Sequence, residues 1–296
     1  MHSLLSLALA ATAAASNLYV ASYDGNVTTL RITNTGDGAY TSEVTYKNPG
    51  CAGSPVWLTL DSANDVLYCL DEGNQTPNGS VTAFKTSASG QLTVLSDRET
   101  ITGPVSSVLY GKNSSRAIAL AHYAGSALTT WSITANNSFA PLETFTFNLS
   151  QPGPNKDRQT AAYEHQVILD PTGQNLLVAD LGADLVRVFA IDPATNKLSA
   201  QAPIQIAAGA GPRHATFWSP DGDVTKGYNR NSTLYLFVVT ELTNMIYGFK
   251  VSYLAAGGMH FAPVSSINTF GGATIPKGAA AAEITVSVSL PHLPLT

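Results

Sequence analysis

The sequence of 296 residues is poor in charge: Asp, Glu, Lys and Arg make up 12% of it, about half of the roughly 25% of an ordinary soluble domain. With 15 basic residues against 20 acidic ones and a net charge of −5, it lacks the clustered Lys and Arg that neutralise phosphate backbones. That excludes nucleic acid as a partner. Two cysteines are too few for a cysteine-based zinc site. No apolar run long enough for a membrane-spanning helix occurs after residue 20, and no segment sustains helical apolar spacing over three turns. G-x-S-x-G, P-loop and H-E-x-x-H motifs are missing, which removes the nucleophile-elbow, phosphate-cradle and zincin readings. The spacing of His and carboxylates supports no strong metal site, and no cofactor is expected. What is present is apolar: 44% hydrophobic residues with 24 Gly and 16 Pro, ample for a packed core and incompatible with disorder.

Residues 1–15 read as a removable leader. Leu4 to Ala15 is a short apolar run ending in Ala13, Ala14 and Ala15, the pattern of an h-region and a small-residue cleavage site. The mature domain is then 16–296, and a secreted, extracellular location is expected. Seven N-x-S/T sequons agree with that, at Asn26, Asn74, Asn78, Asn113, Asn136, Asn148 and Asn231. In an oxidising compartment Cys51 and Cys69, 18 residues apart, form either one disulfide or two buried thiols; spacing alone does not choose.

Short β-branched and aromatic runs bounded by Gly, Pro, Asn and Asp predict strands throughout. Aligned with itself, the chain repeats one unit: an apolar strand, a turn such as DPTG from Asp170, a second strand, a short loop and a third strand. Second-strand anchors at Leu18, Leu67, Ala117, Leu176 and Leu234 are 49, 50, 59 and 58 residues apart. The opening copy enters at its second strand. A four-stranded antiparallel unit at about this period is a β-propeller blade, so the expected fold is all-β, one propeller domain.

Strand direction then sorts the polar residues. The start of a blade's first strand and the end of its second share one face, while the turns between them lie opposite. The turn face carries ordinary type I turn sequences at Asp61, Gly111, Asp170 and Ser219. The other face collects Asp24, Glu72, His122, Asp180 and Glu241 from second strands, with His165, Arg213, His214 and Glu283 from first strands. In a chain with six histidines this convergence points to a ligand site at the channel mouth. Some members have plain structural readings as well: Asp180 as a turn cap, His122 as a half-buried histidine beside Tyr123. Arg213 offers a planar fork to an oxyanion, and His165 and Glu241 offer a proton donor and acceptor. The site suits a small anionic molecule, a carboxylate or a phosphate.

The stretches HQVILDPTG from His165, VADLGAD from Val178, GPRH from Gly211 and TELTN from Thr240 resemble the lactonase family of seven-bladed β-propellers. That family includes 6-phosphogluconolactonases and carboxy-cis,cis-muconate cyclases. PVWLTLD from Pro55 and VLYCLDE from Val66 resemble the secreted, cyclase-like branch. The resemblance implies catalytic roles for His165, Arg213 and Glu241, with His214, Glu72, His122, Asp180 and Glu283 around the substrate. For a cyclase, Arg213 would hold one carboxylate while another adds across a double bond and His165 or Glu241 delivers the proton. For a lactonase, the same base would activate water and Arg213 would stabilise the tetrahedral anion.

After Ile284 the sequence departs from the family pattern, and about five of its seven blades are expected, as in a truncated propeller; a natural five-bladed ring closed by the strand after Glu283 is the rival. Cyclisation of a muconate-type carboxylate is the first expectation for function. Hydrolysis of a 6-phosphogluconolactone-type ester is the second, and a non-catalytic secreted binding protein the third.

Overall fold

Two hexapeptides, VLYCLD and NLLVAD, are buried at every residue. Continuous burial of a strand requires cover on both faces, and here neighbouring sheets supply it. The computed structural model describes residues 15–36, 39–112, 115–255 and 257–287, and within them every regular element is a strand. The first sheet has three: β1 (Ala15–Ser22), β2 (Asn26–Asn34) and β3 (Tyr40–Pro49). The second is β4 (Pro55–Asp61), β5 (Val66–Asp71), β6 (Ser80–Lys85) and β7 (Thr93–Glu99). The third is β8 (Pro104–Lys112), β9 (Ser115–His122), β10 (Ala127–Ile133) and β11 (Phe139–Thr146). The fourth is β12 (Glu164–Leu169), β13 (Asn175–Asp180), β14 (Leu185–Ile191) and β15 (Leu198–Gln205). The fifth is β16 (Pro212–Trp218), β17 (Leu234–Thr240), β18 (Met245–Tyr253) and β19 (Met259–Asn268).

Each sheet is an antiparallel meander, a propeller blade. The strand order matches the sequence repeat, with the first blade entered at its second strand. Apolar clusters fill the four spaces between successive blades; Leu177, Val186 and Val188 of the fourth, for example, meet Leu234, Leu236 and Val238 of the fifth. First strands of adjacent blades touch one another, β4 with β8, β8 with β12 and β12 with β16, so they line the axis. Cys51, between β3 and β4, is joined to Cys69 of β5 by a disulfide with Cα atoms 6.0 Å apart. It lies within the apolar cluster between the first two blades.

Two expectations fall outside the described residues, in whole or in part, and a third meets an irregular segment. The leader lies outside them except for Ala15, which begins β1. Sequon Asn113 also lies outside them; Asn74, Asn78, Asn136, Asn148 and Asn231 are exposed, and Asn26 is half-buried. Glu283, expected at the start of a first strand, sits instead in an irregular segment, and no strand forms over 285–287.

Candidate functional site

Two positions recur in the blades and together make the site. The first is a β-bulge at the second residue of each first strand, where the pairing register slips: Val56 in β4, Val105 in β8, His165 in β12 and Arg213 in β16. A bulged residue leaves the ladder and its side chain can be re-aimed. The second is the residue just after each second strand. Its N–H donates to the carbonyl just before the blade's first strand in the third and fourth blades, Tyr123 to Gly103 at 2.7 Å and Leu181 to Tyr163 at 2.9 Å. The same bond joins Glu72 to Ser54 at 3.0 Å and Glu241 to Gly211 at 2.9 Å. Gly211 has φ +64°, and a Cβ there would lie 2.6 Å from Leu242 Cγ. A glycine therefore suits the turn that delivers Arg213.

Apart from the buried Leu181, these positions converge on a cavity of about 380 Å³ lined by Tyr23, Val56, Trp57, Glu72, Val105, Tyr123, Arg158, His165, Arg213 and His214. Glu241 lies buried beside it. Its Oε2 receives Arg213 Nη1 and its Oε1 receives Arg158 Nη2, each at 2.5 Å. One carboxylate thus aligns two guanidinium groups, and both retain donors for a ligand. Arg213 Nε also donates to the Ala282 carbonyl at 3.0 Å. Arg158 comes from the connection between β11 and β12 and reaches the Tyr123 hydroxyl at 3.4 Å. Tyr123 stacks on Tyr163 and meets the edge of His165.

His165 is held neutral. Burial first, then the positive charge of Arg213, pushes its pKa down to about 2. Its Nδ1 is buried without a hydrogen-bond partner. His214 packs edge-to-face against His165 and Trp57, and its Nδ1 lies 2.6 Å from Glu283 Oε2. Across the cavity the Tyr23 hydroxyl donates to Glu72, and burial followed by this bond raises the Tyr23 pKa to about 12. Asn74, a sequon residue, donates to the same Glu72 oxygen at 3.1 Å.

Of the residues singled out in the sequence, Glu72, His165, Arg213 and His214 line the cavity, and Glu241 and Glu283 touch its walls. His122 and Asp180 do not reach it, a correction to their placement around the substrate. They are the last residues of β9 and β13, one position before Tyr123 and Leu181; one step along a strand reverses the side chain, which puts Tyr123 on the cavity wall, while Leu181 is itself buried. His122 is fully buried between the Thr102 carbonyl and Thr129 Oγ1, and burial lowers its pKa to about 4. Asp180 pairs with Arg187 and accepts N–H groups from Tyr163 and Ala183 at 3.0 and 2.9 Å. Asp24 caps its own turn at the Asn26 N–H. Sequence reasoning missed Tyr23, Trp57, Tyr123 and Arg158. Tyr23 and Tyr123 could have been found by carrying the Glu72 position through every repeat, and Trp57 by carrying that of His214; Arg158 has no repeat position to betray it.

Chemically, the cavity offers two arginine forks, a neutral imidazole, a second imidazole backed by a carboxylate, and aromatic walls. It can hold an oxyanion and polarise a carbonyl beside it. Among the described residues no group of three His, Cys, Asp or Glu side chains is placed to hold a metal ion, and no helix is long and apolar enough to cross a membrane.

The chain is similar to known proteins along most of its length. An Arthroderma benhamiae protein named "Probable 6-phosphogluconolactonase" is 29% identical over 255 residues, covering 86% of this chain and 59% of that protein. The 6-phosphogluconolactonase of Yersinia enterocolitica is 49% identical over 80 residues, 26% of this chain and 23% of that one. The chain therefore spans less than two thirds of these curated relatives. Among solved structures, the periplasmic gluconolactonase of Pseudomonas aeruginosa superposes with a TM-score of 0.70 at 22% identity, covering 90% of this chain and 70% of that one. A Lactobacillus plantarum protein gives 0.67 at 23%, covering 90% and 69%. At these identities the superpositions speak for the fold alone. The family model described as Lactonase, 7-bladed beta-propeller matches residues 17–293, and the chain belongs to that family.

Proposed function

We propose that the protein hydrolyses a sugar lactone carrying an anionic group, in the manner named for its 6-phosphogluconolactonase relatives. The observation that carries this reading is the sharing of Glu241 by Arg158 and Arg213 at the cavity. Two aligned guanidinium groups bind a phosphate or carboxylate in bidentate fashion and stabilise the oxyanion formed when water attacks the ester carbonyl. Glu241, with one oxygen on each guanidinium group, serves to align the arginines. His165, whose pKa burial pushes far below the usual imidazole range, supplies a hydrogen bond rather than a charge. The named relatives favour lactone hydrolysis over the muconate cyclisation expected first.

Secretion belongs to the same proposal. The disulfide and the exposed sequons support it, and glycosidase-sensitive mass on protein from a secreting eukaryotic host would test it.

The activity test follows acid release from 6-phosphoglucono-δ-lactone and from glucono-δ-lactone above the uncatalysed rate. Acceleration of the phosphorylated lactone that Arg213→Ala reduces at least about 100-fold is expected, the scale of losing an oxyanion donor. No acceleration of either lactone overturns the reading, and saturable binding without turnover would mark a binding protein instead.

A further inference from the structure

The segment after Gly278 is irregular, yet side chains of the fifth blade hold it across the cavity rim. Asn244 Nδ2 donates to the Ala279 carbonyl at 2.9 Å, and Arg213 Nε donates to that of Ala282 at 3.0 Å. These bonds place Glu283 against His214, where Oε2 lies 2.6 Å from Nδ1. The imidazole is buried, whereas the carboxylate is about half exposed. Burial acts against the Glu283 carboxylate, but hydrogen bonds from His214 and the Ile284 N–H, with the charge of Arg213, prevail and its pKa falls below the usual value.

A carboxylate on Nδ1 fixes the proton there and leaves the Nε2 lone pair free. That is how an acidic partner sets a histidine to accept a proton. Among the described residues no side chain or backbone group is hydrogen-bonded to Nε2 of His214, and the ring lines the cavity. The other two basic candidates are worse placed. Glu241 is committed to two arginines, and His165 lies beside Arg213 and His214 without a carboxylate on either nitrogen.

We infer that Glu283 is a positioning residue that orients His214 as the general base of lactone hydrolysis, an inference that rests on the function proposed above. Water oxygen bonds to the lactone carbonyl carbon while one of its protons passes to His214 Nε2. The tetrahedral oxyanion then collapses, the ring C–O bond breaks, and the same proton returns to the departing ring oxygen as a hydroxyl. The new carboxylic acid releases its own proton to solvent. The charged or titratable groups around this imidazole are Glu283 from the irregular segment, Arg213 from its own strand with its partner Glu241, His165 from β12, Arg158 from the connection before it, Glu72 after β5, and Tyr23 and Tyr123 after β1 and β9.

Glu283→Ala and Glu283→Gln should lower kcat at least about tenfold, and His214→Ala at least about 100-fold, within the range for general-base catalysis. KM should stay within about twofold, because the backbone carbonyl that holds Arg213 is unchanged. The acid limb of the kcat profile should shift to lower pH in Glu283→Gln, and Glu283→Asp should recover part of kcat. Nitrogen-15 NMR of the unliganded protein is a readout that needs no turnover. It should show His214 protonated at Nδ1 in the parent and a mixed tautomer in Glu283→Gln.

If the parent hydrolyses the lactone but Glu283→Gln keeps its kcat and pH profile, the inference falls and lactone hydrolysis stands. If the parent shows the Nδ1 tautomer but turns over no lactone, the proposed function falls and takes the base role with it. A mixed tautomer in the parent overturns the orientation by Glu283 whatever the activity.

Discussion

Asp71 and Asp180 occupy one place in the second and fourth blades, each the last residue of its second strand. Each accepts the backbone N–H of the residue just before its blade's first strand, Ser54 at 2.6 Å and Tyr163 at 3.0 Å. The repeat of this bond assigns Asp180 to closing its blade. In the fourth blade the cap carries Arg187 as well, held between Asp180 and Glu164 and stacked over Phe147.

Asp180→Ala leaves Arg187 in a largely buried site without its main counter-charge. The variant should lose about 3–5 kcal/mol, the cost of breaking a buried pair from one side. Urea denaturation checks this. Affinity for an anionic ligand, measured well below the denaturation midpoint, should be unchanged, because Asp180 does not line the cavity.

Three buried groups give stability a pH dependence whose direction differs on the two sides of about pH 6.5. Glu164 has its pKa raised to about 9, by burial first and then by Asp180. The folded state therefore keeps a proton that the unfolded chain sheds near pH 4.5, and stability falls as pH rises from there toward 9. His165 and His122 have pKa values lowered to about 2 and about 4 by burial. The unfolded chain takes up those protons below about pH 6.5, so stability falls as pH drops through that region. Each unmatched proton changes stability by up to about 1.4 kcal/mol per pH unit. Urea midpoints should peak near pH 6.5, and Glu164→Gln should flatten the alkaline limb while leaving the acid limb in place.

The Cys51–Cys69 disulfide closes a short loop from the first inter-blade connection into the core of the second blade. By chain entropy its removal should cost about 3 kcal/mol. Paired serine substitutions, and reductant added to the parent, should lower the urea midpoint alike. Midpoints that do not move would assign the stability of this corner to packing around Phe84 and Leu92 alone.

Arg158 reaches the site from a connection, so its loss should spare the fold while weakening the anion clamp. Arg158→Ala should raise KM for a phosphorylated lactone about 10–100-fold, the worth of a charge-assisted hydrogen bond. The effect on the uncharged glucono-δ-lactone should be several-fold smaller. Equal effects on both substrates would place Arg158 at the ester rather than at the anion.

Much of this was legible in the chain itself. The period of the second-strand anchors Leu18, Leu67, Ala117, Leu176 and Leu234 dictates the blades, because alternating apolar strands bounded by turn residues can bury themselves only by stacking sheet on sheet. The same period names the face where Glu72, His165, Arg213, His214 and Glu241 converge. Whether a residue at a strand end points outward or into its own blade depends on bulges and closing backbone bonds. For this reason His122 and Asp180 appear one residue away from Tyr123 and Leu181, the true counterparts of Glu72. The partnerships Arg158–Glu241 and His214–Glu283 join residues 83 and 69 positions apart; Arg158 lies in a connection outside the repeat, and the repeat places Glu283 on the right face but in a strand that does not form. Local sequence sets periodicity and turn chemistry; only the tertiary structure decides which charge meets which, because that depends on distances between segments the sequence does not relate.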